Sequence, residues 1–145
     1  MGRILCLDYG ERRTGVAISD ETRTIAQSLG TLEHRNQDGL LAQVQRLIAE
    51  HSVDTIVLGL PLGRAGKPSA RSQRVTAFGR RLEQTTGLAV RYCSERYSTV
   101  QAQEVYTELH GRPFRSRRPG RKRPSPLDRI AATIILESYL ESLTP

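Results

Sequence analysis

The chain opens on short apolar runs of β character. "RILCLD" (3–8) and "GVAIS" (15–19) are joined by the turn-like "YGERRT". Gly10 and Gly15 bracket that connection, which predicts a hairpin with a loop of a few residues. "AQSLGTLEH" (26–34) predicts a third strand, interrupted by Gly30. From residue 36 the period changes, and "NQDGLLAQVQRLIAEH" (36–51) sets Leu40, Leu41, Val44, Leu47 and Ile48 at helical spacing. "DTIVLGLP" (54–61) is an unbroken apolar run and predicts a parallel strand covered on both faces. "PSARSQRVTAFGRRLEQTTG" (68–87) predicts a helix with Val75, Phe78 and Leu82 inward and Gly87 as its stop. "LAVRYC" (88–93) is the fifth strand. Ser98 and Gln101 form a capping box for a helix with Ala102, Val105, Tyr106 and Leu109 on one face. "SPLDRIAATIILESYLESL" (125–143) is the last helix, with Ser125 as N-cap and Pro126 at its first position.

Three strands followed by alternating helices and strands imply an α/β fold: a mixed sheet with helices on both faces. That is the element order of the ribonuclease H-like architecture. The 145 residues suit a single domain spanning 1–145, and the sequence shows no repeats. No apolar run approaches the ~20 residues of a membrane span. "MGRILCLDYG" meets charge too soon for a signal peptide, so the expected location is cytoplasmic and away from membranes. Cys6 and Cys93 both fall in strands, as small buried thiols of a reducing compartment would.

Charge adds a feature that the apolar pattern does not show. The net charge is +7, with 22 basic and 15 acidic residues. "GRPFRSRRPGRKR" (111–123) carries seven basic residues, Arg112, Arg115, Arg117, Arg118, Arg121, Lys122 and Arg123, and no acid. Without it the chain has 15 basic and 15 acidic residues, so the whole excess lies in one segment. Either the segment is a solvated loop or it meets a polyanion. Arginine suits bidentate phosphate contacts, and Phe114 is able to stack on a base.

Three acids occupy element ends. Asp8 ends the first strand, Glu95 ends the fifth, and Asp128 lies in the first turn of the last helix. In open α/β sheets functional groups gather at such ends. Two-metal hydrolysis of a phosphodiester requires carboxylates converging from separate elements, and carboxylate oxygens suit Mg²⁺ or Mn²⁺. Each acid also has an ordinary reading. Asp8 fits a turn former, Glu95 a surface partner of Arg96, and Asp128 a complement to the helix dipole. "GLPLGRAGKPSARSQ" (59–73) looks like a phosphate loop but is not a Walker A motif, because Pro68 follows Lys67 and Pro61 stands where glycine is needed. Gly63, Arg64, Gly66 and Lys67 before a helix start at Ser69 still make an anion site, with Arg71 and Arg74 on one helical face. Arg13, in the first hairpin, and Arg96 complete the basic residues expected to meet nucleic acid.

"LDYGERRTGVAISD" (7–20), "IVLGLPLGRAGKPSARSQRVTAFGRRL" (56–82), "SERYSTVQA" (94–102) and "LDRIAATIILESYL" (127–140) together resemble the YqgF family, also called RuvX. Its members are ribonuclease H-like proteins described as Holliday junction resolvases and as nucleases maturing the 16S ribosomal RNA precursor. The resemblance implies that Asp8, Glu95 and Asp128 are the catalytic, metal-binding triad for two Mg²⁺ or Mn²⁺ ions. It implies RNA or branched DNA as substrate, the ribosome precursor as a partner, and a monomer or homodimer as the working form. The family usually reads Asp-Glu-Arg where this chain has Ser94-Glu95-Arg96, which leaves Glu95 as the ligand candidate.

The expected enzyme is therefore a metal-dependent nuclease. An ATPase or sugar kinase of the actin-like fold shares the first hairpin but closes two such domains around a nucleotide, and this chain supplies one. A non-catalytic nucleic-acid- or ribosome-binding factor on the same fold is the remaining alternative. His34, His51 and His110 fall at element ends without evident partners and are expected at the surface.

Overall fold

Ile4, Leu5, Cys6 and Leu7 are consecutive and each is fully buried. A strand with that pattern has to be paired on both edges and covered on both faces. The computed structural model, which describes residues 2–61, 69–94 and 126–143 (126–130 by backbone alone), meets both conditions. Strand β1 (Arg3–Asp8) lies at the centre of a five-stranded sheet with β2 (Arg13–Ser19), β3 (Ala26–Glu33), β4 (Val53–Leu60) and β5 (Ala89–Ser94). The order is β3-β2-β1-β4-β5, among the described residues. β1, β2 and β3 are antiparallel neighbours, and β1, β4 and β5 run parallel. This is the expected mixed sheet.

Alternation along β1 divides the core. Leu5 and Leu7 join Val16, Ile18, Ile56 and Leu58 under helices α1 (Gln37–His51) and α2 (Ala70–Thr86). Ile4 and Cys6 join Ala17 and Val57 under α3 (Pro126–Ser142), through its Ala132, Ile135, Leu136 and Leu140. Leu40, Phe78 and Leu82 are fully buried, each contributing about 1.5–3 kcal/mol of transfer free energy. The expected helix after Ser98 and the basic segment lie outside the described residues.

The local signals act as the sequence suggests. Asn36 caps α1 by accepting from Gly39 N–H at 2.8 Å, and Ser69 and Ser72 form a reciprocal box at the start of α2. Gly87 ends α2 at φ 72°, and Pro126 occupies the first position of α3. Gly30 does not interrupt β3. It stands at φ 97° beside a bulge: Val16 pairs with Gly30 and Ala17 with Ser28, leaving Leu29 extra.

Gly79 is required by a close approach. A Cβ there would lie 2.1 Å from Tyr92 Oη and 3.1 Å from Leu58 Cδ1. Gly79→Ala should therefore destabilise the protein, because overpacking of about 1–3 kcal/mol outweighs the helix-propensity gain of about 1 kcal/mol. In a Tyr92→Ala background the same change should become neutral or stabilising. Urea unfolding of the four proteins measures that reversal, and equal penalties in both backgrounds would refute it.

Candidate active site

The end of β1 places Asp8 on a defined face. Period-two alternation from Ile4 and Cys6 sets its side chain on the α3 side of the sheet. Its partner in β2 is Gly15, which in turn faces β3 at Thr31. On the other side Leu7 pairs with Leu58, so the next residue of β4 is Gly59, itself paired with Cys93 of β5. Thr31, Gly15, Asp8, Gly59 and Cys93 thus form a row across the sheet. The carboxylate of Asp8 is flanked on both sides by residues without side chains, which leaves room for a ligand beside it. The sequence places Gly15 at the start of the second strand, bracketing the hairpin connection, and gives Gly59 no role of its own. Their placement opposite Asp8 depends on register, which only the fold reveals.

The described backbone shows which edge of the sheet Asp8 shares with the ends of β4 and β5. β1, β4 and β5 are parallel, so their last residues share one end of the sheet, and Ser94 closes β5 opposite Leu60. Glu95 is next in sequence and lies outside the described residues. The C-terminal part of α3 meets the β2–β3 turn, where Arg23, Ile25, Glu137 and Glu141 line a depression of about 370 Å³. That turn is at the far end of the sheet from Asp8, so α3 begins towards the Asp8 edge. Position 128 lies in the first turn of α3, one helical turn before the buried Ala132. The Asp128 side chain is outside the described residues. Among those residues no three His, Cys, Asp or Glu gather as a metal site.

The donor chemistry fits a hard divalent cation. Asp8 offers carboxylate oxygens beside two glycines. Oxygen donors of this kind suit Mg²⁺ or Mn²⁺.

The segment after Asp8 is held from the opposite face. The Tyr9 ring stacks on Phe78 with centroids 4.2 Å apart and planes at 8°, and its hydroxyl accepts from Gln37 Nε2 at 2.9 Å. Arg81 donates to Gln37 and to Asp38. Gly10 then turns the chain so tightly that a Cβ would lie 2.3 Å from the Arg13 carbonyl oxygen.

Of the expected phosphate contacts, Arg71 and Arg74 are exposed on α2, and Arg74 donates to Glu11 of the β1–β2 turn at 3.2 Å. Arg13 opens β2, half-buried and paired with Glu33. Arg64, Lys67, Arg96, Arg112, Arg115, Arg117, Arg118, Arg121, Lys122 and Arg123 lie outside the described residues, as does His110. Cys6 is buried as expected, and Cys93 is half-buried with its Sγ 3.7 Å from the Ile135 carbonyl.

His34 corrects an expectation. It is not at the surface but 9% exposed, with Nε2 3.0 Å from Thr14 Oγ1 and its backbone N–H donating to the Arg12 carbonyl. The turn between β1 and β2 folds over it, which a polar "EHR" in sequence does not disclose. Burial holds its imidazole below the ordinary range. His51, by contrast, is half-buried at the end of α1. Asp20, the last acid of the hairpin motif, has a structural role. It accepts from Ile25 and Thr24 N–H and from the Thr22 hydroxyl, and these bonds, Ile25 first, bring its carboxyl down to about 2.

The sheet order and helix placement are those of a ribonuclease H-like fold. The fold matches RuvC of T. thermophilus, solved in complex with a Holliday junction substrate, with a TM-score of 0.60 at 13% identity over 98% of this chain and 95% of that one. It also matches the Fowlpox virus resolvase, solved with Holliday junction DNA, with a TM-score of 0.57 at 16% identity over 99% of both chains. Within that fold the chain belongs to the RuvX family, whose model, described as Holliday junction resolvase, matches residues 2–142. A relative from Syntrophus aciditrophicus named "Putative pre-16S rRNA nuclease" is 39% identical over 98% of this chain and 90% of its own length. One of the same name from Dictyoglomus thermophilum is 35% identical over 97% and 96%. The family is thus one of nucleases. Among the described residues no helix is long and apolar enough to cross a membrane.

The burial of His34 sets a pH dependence. Unfolded, its imidazole titrates near 6.5, and folded it titrates lower. Below 6.5 the unfolded state binds more protons, so this contribution to stability is complete above 6.5 and is lost as pH falls through the folded value. Thermal melts in phosphate-free buffer from about pH 8 to about pH 5 should show a shallower loss for His34→Gln, whose amide still reaches Thr14. Parallel curves would show that His34 does not set this dependence.

Proposed function

We propose that this protein is a metal-dependent nuclease that hydrolyses phosphodiester bonds in structured nucleic acid, with Asp8, Glu95 and Asp128 as its working carboxylates. The observation that carries the proposal is the row at the sheet's end, where Asp8 stands between Gly15 and Gly59 on the face towards which α3 begins. Asp8, Glu95 and Asp128 would hold one or two Mg²⁺ or Mn²⁺ ions, and the chemistry such ions supply is Lewis-acid stabilisation of charge on the phosphate and a more acidic water. The chain's own part is to bind and orient. The Tyr9–Phe78 stack and the Gly10 turn fix the backbone that follows Asp8. Arg13, Arg71 and Arg74 offer cations around it, and Arg64, Lys67, Arg96 and the 111–123 segment would extend that grip. The relatives' names favour the 16S ribosomal RNA precursor, and the family description favours Holliday-junction-like DNA. Action would be cytoplasmic, on a precursor of the ribosome in the first case.

Labelled precursor RNA and four-way junction DNA, each incubated with Mg²⁺ and with Mn²⁺, provide the test. The parent should cut at least one, and Asp8→Asn should bind as the parent does and not cut. A parent that shifts both substrates and cleaves neither would be a binding factor on this fold.

Asp128 has two competing roles. As a dipole complement alone, Asp128→Asn should cost about 0.3–1 kcal/mol and spare cleavage. As a cation ligand, its loss relieves carboxylate repulsion, so the metal-free variant should melt no lower than the parent. Cleavage should collapse, and the rise in Tm that Mn²⁺ gives the parent should shrink. Melting with and without Mn²⁺, beside cleavage rates, separates the two.

A further inference from the structure

One feature of the hairpin lies beyond the three acids. The row that contains Asp8 continues outward, because two residues before Gly15 stands Arg13, paired with Glu33 as Gly15 is with Thr31. This places the Arg13–Glu33 pair roughly 7 Å along the strands from the level of Asp8 and one to two strand spacings of about 5 Å to the side. There Arg12, Arg13, Glu33, His34 and Arg35 line a depression of about 380 Å³. Arg12 and Arg35 are exposed, and neither forms an ion pair with a described residue. Three guanidiniums against one carboxylate give the depression an excess of positive charge.

Its wall contains an unusual group. His34 is more than nine-tenths buried, and its Nδ1 has no hydrogen-bond partner among the described residues. Thr14 Oγ1 accepts from Gly10 N–H at 3.4 Å and lies 3.0 Å from His34 Nε2. Thr14 Oγ1 and His34 Nε2 thus share a hydrogen bond, and Nδ1 is the ring nitrogen without a partner among the described residues.

We propose that this depression is a phosphate-binding subsite that holds the nucleic-acid backbone beside the cleavage site, with Arg12 and Arg35 as its forks above the buried His34. The proposal rests on the nuclease reading for its place along the substrate, but the subsite itself does not require cleavage. The phosphate it takes is a neighbour of the scissile one, because the pocket lies about 10 Å from Asp8 by strand geometry.

The test uses the full chain without divalent cation and reads binding. A mixed-sequence single-stranded RNA oligonucleotide and, separately, inorganic phosphate are titrated while the imidazole ¹⁵N signals of His34 are followed. Both should shift them. The Arg12→Gln/Arg35→Gln variant should lose both shifts, and its slope of log K against log salt for the RNA should fall by about 0.7–0.9, the contribution of one phosphate. A shift with phosphate and none with RNA would make this a free-anion site and overturn the proposal. Silence to both, or an unchanged salt slope, would overturn it too. A protein that cuts no substrate yet shows the RNA shift would lose the nuclease reading and keep the subsite.

Discussion

The structure depends on the burial of β1. Four consecutive residues without solvent exposure need a partner strand on each edge and a helical layer on each face. The antiparallel hairpin supplies one edge and the parallel β4 the other, while α1 and α2 cover one face and α3 the second. Asp8 is the first residue of the strand at which this enclosure ends. A carboxylate one position earlier would replace the fully buried Leu7 and carry the desolvation cost of an unpaired charge. One position later it would lie on the other face, in place of the Tyr9 ring that stacks on Phe78. The place of the Asp8 carboxylate is therefore set by where the core stops.

Much of this was legible in the sequence because it is governed by local pattern. The helical spacing of Leu40, Leu41 and Val44, the inward Val75, Phe78 and Leu82, and the unbroken 54–61 run all report which residues meet a core. Caps at Asn36, Ser69 and Gly87 act through neighbours a few residues away. What could not be read depends on pairing between distant segments. Gly59 acquires its place beside Asp8 from the register of β4 against β1, 51 positions away in the chain. His34 is tied to the Arg12 carbonyl and the Thr14 hydroxyl of the hairpin, and Gly30 accommodates a bulge set by β2. Polar residues whose neighbours come from elsewhere in the fold look like surface in a one-dimensional pattern.

The arginines near the site fall into two kinds. Arg81 is tied to Gln37 and Asp38 and helps to hold α2 against α1, while Arg12 and Arg35 stand at the rim of the depression without an ion pair to a described residue. Arg74 is intermediate, since it donates to Glu11 in the turn after Asp8. That pair does not withdraw it from the substrate. Its side chain is 61% exposed and that of Glu11 77%, and pairs of this exposure contribute about 0–1 kcal/mol. A phosphate carries a full charge and three acceptor oxygens, and a charge-assisted bidentate contact with it is the stronger interaction. Arg74 can therefore exchange Glu11 for a backbone phosphate at little cost. Until it does, the pair keeps the guanidinium at the mouth of the turn and offsets the repulsion among the neighbouring cations. Glu33 stands opposite Arg13 in the register of β2 and β3. A phosphate at this basic edge would therefore compete with two exposed acids, and neither would hold its arginine strongly enough to prevent the exchange.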